Sequence, residues 1–188
     1  MGALFLTGRP GVGKTTLLMR VLEGTKLRAG GFYTQEVREG GGRVGFRIRS
    51  LSGEEGTLAR KGLGSPCRVG RYGVNVEDLE RVGVAALEKA IAEAELIVVD
   101  EVATMELCSE RFKEAVRKAL DSGKPVLGTI QMKSHPFLDE VRSRSDVRVL
   151  EVKEGKEREI LEEVKGWLTE QIGGHHGDLE GKGSSRRS

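Results

Sequence analysis

Residues 3–6 (Ala3, Leu4, Phe5, Leu6) are wholly apolar, and glycine-rich chain follows at once. So short an apolar run predicts a buried strand. Leu17, Leu18, Val21 and Leu22 then recur at helical spacing, which predicts a helix over residues 14–23, ended by Gly24. Residues 31–38 and 43–51 alternate apolar and polar positions around Glu39, Gly40, Gly41 and Gly42, a β-hairpin signature. Residues 52–75 have no period and read as loop. Leu79, Val82, Ala86, Leu87 and Ala90 mark a helix over 76–94, with Glu77 and Asp78 favourable at its start. Leu96, Ile97, Val98 and Val99 form an apolar strand ending in Asp100, as in a sheet covered on both faces. Ser109 is placed to cap a helix carrying Phe112, Ala115, Val116, Ala119 and Leu120. Residues 125–130 predict a strand, Pro136 opens a short helix, and 147–152 predict a last strand. A final helix over 157–172 turns Ile160, Leu161, Val164, Trp167 and Leu168 inward. Strands alternating with helices predict an α/β fold with a mainly parallel sheet and an inserted β-hairpin.

Composition narrows the class. A chain of 188 residues is one domain, here residues 1–172, followed by a tail over 173–188 whose lost periodicity predicts disorder. The net charge is only +2 despite 32% charged residues, which argues against a nucleic-acid partner. No apolar run is long enough to span a membrane, and the N-terminus does not read as a signal peptide. Cys67 and Cys108 form neither a CxxC pair nor a disulfide framework, so a cytoplasmic, reducing location is expected. Nothing fixes an oligomeric state; a monomer is the working expectation.

Gly8, Arg9, Pro10, Gly11, Val12, Gly13, Lys14 and Thr15 fit GxxxxGK[ST] at every position, between a predicted strand and a predicted helix. Glycines let the backbone wrap closely around phosphates with its N–H groups inward. The helix N-terminus adds positive potential. Lys14 supplies a point charge for the β- and γ-phosphates, and Thr15 a hydroxyl for Mg²⁺. Thr16 suits the α-phosphate or a helix cap.

Phosphoryl transfer on such a loop needs a carboxylate for Mg²⁺ at the end of a buried strand beside the first. Asp100 meets that need, and Glu101 directly after it is placed to orient or deprotonate a water nucleophile. Glu106 is a further acid nearby, read first as an exposed surface acid and second as a support behind the acid pair. Arg71 is the first choice for a cation that meets charge developing on the transferred phosphoryl group, with Arg60 second. Gln131, at the end of the 125–130 strand, is a candidate to sense the γ-phosphate, ahead of Lys133 and His135. His175 and His176, with no partner ligands, make a poor metal site.

Several segments together resemble the THEP1 family of nucleoside-triphosphatases. They are RPGVGKTTL, the GFYTQEV hairpin, VGRYGVNVEDLE, VVDEVATMEL and HPFLDEVRSRSD, and the resemblance covers residues 1–168. It implies a three-layer, RecA-like P-loop fold. It further implies Mg²⁺-dependent hydrolysis of ATP, GTP, CTP, UTP and TTP to diphosphate and phosphate, with poor base selectivity. By position, Val98, Val99, Asp100, Glu101, Val102, Ala103, Thr104 and Met105 correspond to a second nucleotide-binding segment. Ala103 stands where the family commonly has glycine. The chain also lacks an NKxD guanine-reading motif.

Two alternatives stay open. A nucleotide or small-molecule kinase would use residues 52–75 as an arginine-bearing lid. A regulatory switch or nucleic-acid-stimulated motor would use slow hydrolysis to time a conformational change.

Overall fold

The N-terminal apolar run forms strand β1 (Ala3–Thr7), buried at every position. In this computed structural model, which describes residues 2–173, β1 lies between β8 (Val126–Ile130) and β9 (Val147–Glu151), parallel to both. Next to β8 comes β7 (Leu96–Val102), also parallel. Strand β2 (Ala29–Glu39) has two halves. Residues 29–32 pair in parallel with β7, and the rest pairs antiparallel with β3 (Gly42–Ser50).

Alternation along β1 sends Ala3 and Phe5 to one face and Leu4 and Leu6 to the other. Phe5 belongs to a core shared with α3 (Ala85–Glu93), α4 (Glu110–Asp121) and α5 (Pro136–Ser143) through Leu87, Phe112, Val116 and Leu138. Leu4 and Leu6 join Leu17 and Leu18 of α1 (Lys14–Gly24) and Val164 and Trp167 of α6 (Glu157–Gly173). The result is three layers, helix–sheet–helix, with the loops at the C-terminal ends of β1, β7 and β8 gathered at one edge. Residues 174–188, expected to be a disordered tail with His175 and His176, lie outside the described residues.

The chain over 52–75 is not loop. It forms β4 (Glu55–Lys61), β5 (Arg68–Val69) and β6 (Tyr72–Val74), which continue the hairpin to give a nine-stranded mixed sheet, β5-β6-β4-β3-β2-β7-β8-β1-β9. Backbone donors and acceptors along β3 find partners this way, and Leu58, Ala59 and Val74 are buried. The helix expected over 76–94 is interrupted. After α2 (Val76–Asp78), capped by the Asn75 side chain, a π-helical stretch Leu79–Val84 precedes α3. Leu79, Val82, Gly83 and Val84 are all buried there, a broader inward face than a regular turn presents. A Cβ at Gly83 would sit 2.9 Å from Ile48 Cδ1, so the glycine lets this stretch lie close on the sheet.

Cys67 and Cys108 form a disulfide, with Cα atoms 6.1 Å apart, which corrects the reading of two isolated thiols. Their separation of 41 residues hid the contact, because both pack against the same side of the sheet. The ground for expecting a reducing compartment is thereby lost, since disulfides persist in oxidising compartments and inside hyperthermophiles. Among the described residues, no helix is long and apolar enough to cross a membrane. Closing a loop of this length is worth about 4 kcal/mol in the chain-entropy account. Reduction is therefore expected to lower the thermal midpoint by about 8–16 °C. Calorimetry with and without reductant, beside Cys108→Ala, checks this; equal midpoints would show that the pair adds no stability.

Candidate active site

The loop between β1 and α1 is shaped by its glycines. Gly8 has φ +148°, and a Cβ there would lie 2.7 Å from the Val152 carbonyl oxygen. Gly13, at φ +99°, turns the chain into α1, whose N-terminus has no side-chain cap. Its first N–H groups are thus available to an anion. Lys14 Nζ donates to the carbonyls of Gly8 (3.0 Å) and Arg9 (3.1 Å), so the ammonium rests on the loop that it would share with a phosphate. Arg9, Pro10, Gly11 and Thr16 are exposed, and Val12 is half-buried.

Asp100 is the last of five consecutive buried residues in β7. One strand, β8, separates β7 from β1, where direct adjacency is the expectation. The gap is bridged by side chains: Thr15 Oγ1 donates to Asp100 Oδ2 at 2.9 Å, and Thr129 Oγ1 of β8 donates to Oδ1 at 2.5 Å. The pairing of β7 with β8 shifts register between Val99 and Val102, which re-aims the residues between them. Asp100 is 1% exposed. Burial pushes its carboxyl up, against the Thr129 and Thr15 hydroxyls, the Lys14 charge and the Thr34 N–H.

Glu101 is half-buried beside it. Burial, then Asp100, raises its pKa, and Lys14 opposes them. Glu106 corrects the expectation of a surface acid: it is 2% exposed. The 3-10 turn Glu106–Cys108 folds it inward. Val98, Val99, Val102 and Ala103 are buried, while Thr104 and Met105 are half-buried in the turn that follows. The Thr104 N–H donates to Gln131 Oε1 at 3.2 Å, so Gln131 is tied to the acid-pair loop.

Arg71 and Arg60 are not brought to this cluster. Arg71 lies between β5 and β6, six strand positions from β1, or about 29 Å at the usual spacing. Arg60, on β4, binds Glu39 at 2.8 and 3.1 Å. The local spacing that suggested them carries no information on strand order. Lys133 is exposed, and His135 Nδ1 accepts the Phe137 N–H at the start of α5. Thr129 was missed. Its signal is a hydroxyl in an otherwise apolar strand.

Two hard oxygen donors, Thr15 and Asp100, meet beside the phosphate loop. No group of three or more His, Cys, Asp or Glu among the described residues is arranged to hold a metal alone. That donor set fits Mg²⁺, which takes one or two protein ligands and completes its shell with water and substrate phosphates. A cleft of about 690 Å³ opens beside the loop, between Arg9, Pro10 and Val12 on one side and Val152 and Lys153 on the other.

Comparison with known proteins agrees with this arrangement. A family model described as NTPase matches residues 3–165. The nucleoside-triphosphatase THEP1 of Thermotoga maritima is 50% identical over 161 residues, 86% of this chain and 92% of that protein. The human cancer-related nucleoside-triphosphatase is 40% identical over 177 residues, 86% of this chain and 93% of that protein. The crystal structure of THEP1 from the hyperthermophile Aquifex aeolicus superposes with a TM-score of 0.81 at 36% identity, covering 88% of this chain and 98% of that one.

Proposed function

Because the chain belongs to the NTPase family of the THEP1 nucleoside-triphosphatases, we propose that it is a Mg²⁺-dependent hydrolase of nucleoside 5'-triphosphates with broad base specificity. The observation that carries this reading is the Thr15–Asp100 hydrogen bond, which brings a metal-binding hydroxyl and carboxylate together beside Lys14.

The phosphates lie along the backbone N–H groups of residues 11–15, at the start of α1. Lys14 transfers its ammonium from the Gly8 and Arg9 carbonyls to the β- and γ-oxygens. Thr15 and Asp100 would hold Mg²⁺, and Thr129 fixes the Asp100 carboxylate. When bound, the metal neutralises charge on the β- and γ-phosphates. Glu101 accepts a proton from water as the water oxygen bonds to the γ-phosphorus. The bond to the β–γ bridging oxygen breaks, and that oxygen leaves with the diphosphate. Ribose and base occupy the cleft beside Arg9 and Lys153, whose lining has no asparagine or glutamine amide to read a base edge. With Arg60 and Arg71 remote, intrinsic turnover is slow, as in GTPases without an activator.

The support for the kinase alternative weakens, since half of residues 52–75 are strands paired into the sheet. The test is phosphate release from ATP, GTP, CTP, UTP and TTP with Mg²⁺ and no acceptor. Release from all five at rates within about tenfold is expected, because one buried base contact would already be worth that factor. Bound nucleotide with no release would transfer the assignment to a kinase.

A further inference from the structure

Among the described residues, one buried side-chain oxygen or nitrogen has no hydrogen-bond partner: Glu106 Oε2. It stands five residues beyond Glu101, on the turn that closes the acid-pair loop. Its carboxyl is anchored by two backbone N–H groups, its own and that of Ala103. The charged groups that act on it are Glu101, more strongly, and Asp100.

A buried polar atom left unpaired costs stability. Sites that keep such a cost are often functional.

We propose that Glu106 is a positioning residue for hydrolysis: its unpaired oxygen supplies the hydrogen bond, direct or through one water, that holds the Glu101 side chain toward the attacking water. The inference rests on Glu101 as the water-activating group. Burial, then Glu101 and Asp100, pushes the Glu106 carboxyl well above the usual carboxylate range. Burial this deep favours the neutral form of a carboxyl. One oxygen accepts the backbone N–H groups, and Oε2 carries an O–H that can only donate toward an acceptor. Glu101, its strongest charged neighbour, is that acceptor.

The test uses the full chain with ATP and Mg²⁺. Glu106→Gln retains a donor at this position and is expected to keep kcat within about threefold, as an isosteric neutral donor should. Glu106→Met is expected to lower kcat about 10–100-fold, as loss of one charge-assisted hydrogen bond would. Its KM should not change. Parental kcat in Glu106→Met would overturn the proposal. So would a kcat loss accompanied by a raised KM, which marks a structural role, or a Glu106→Gln as slow as Glu106→Met, which marks a need for charge. Glu101→Gln run alongside separates the two claims. If it turns over like the parent, the water-activating assignment fails and takes Glu106 with it. If it is inactive while Glu106→Met is normal, only the Glu106 inference fails.

Discussion

Glu101→Gln is expected to bind Mg²⁺ and nucleotide as tightly as the parent and to release phosphate about 10²–10⁴-fold more slowly, the range for loss of a general base. The substitution keeps size and hydrogen-bonding capacity and removes the basic oxygen. Asp100, Thr15 and Lys14 are untouched, so the phosphate and metal contacts persist. Burial and Asp100 together raise the basicity of Glu101, which suits a group that must take a proton from water. Single-turnover phosphate release, with affinity from a fluorescent nucleotide, separates the two effects. Parental turnover would move proton transfer to another group.

Lys14→Ala is expected to fail at both steps. The ammonium is the only charge given to the β- and γ-phosphates by the loop's GK[ST] end. Its removal should weaken nucleotide binding about 10–100-fold, the worth of a charge-assisted hydrogen bond. Loss of transition-state stabilisation should lower turnover about 10²–10³-fold further. Among the described residues Lys14 Nζ hydrogen-bonds only the carbonyls of Gly8 and Arg9, so the fold should keep its thermal midpoint. Unchanged affinity would mean that phosphate does not sit on this loop.

The parts of the molecule visible in its sequence are those encoded by neighbours in the chain. The phosphate loop is one local segment. The runs 3–6 and 96–99 are apolar because helices cover both faces of the strands. What escaped depends on contacts between distant segments. Thr129 reaches Asp100 across 29 positions, and a hydroxyl in an apolar strand is too common a signal to name its partner. Glu106 resembles any surface glutamate until the 3-10 turn folds it inward. Cys67 and Cys108 meet only through strands too short and glycine-rich to show a period. Arg71 sits in a segment like that of the family, but the sheet order removes it from the phosphates.

The position of β1 between β8 and β9 has a consequence during biosynthesis. Ala3 pairs with Val126 and Val147, so this strand has no neighbour until the chain has been made as far as Val126. At about 5–20 residues per second, roughly 6–25 s separate the synthesis of Ala3 and Val126. Throughout that interval Ala3, Leu4, Phe5 and Leu6 form an apolar segment with open edges, the kind of surface that chaperones bind. The phosphate loop hangs from this strand and leans on Val152, so a nascent chain has no anchored nucleotide site until Val152 has been made.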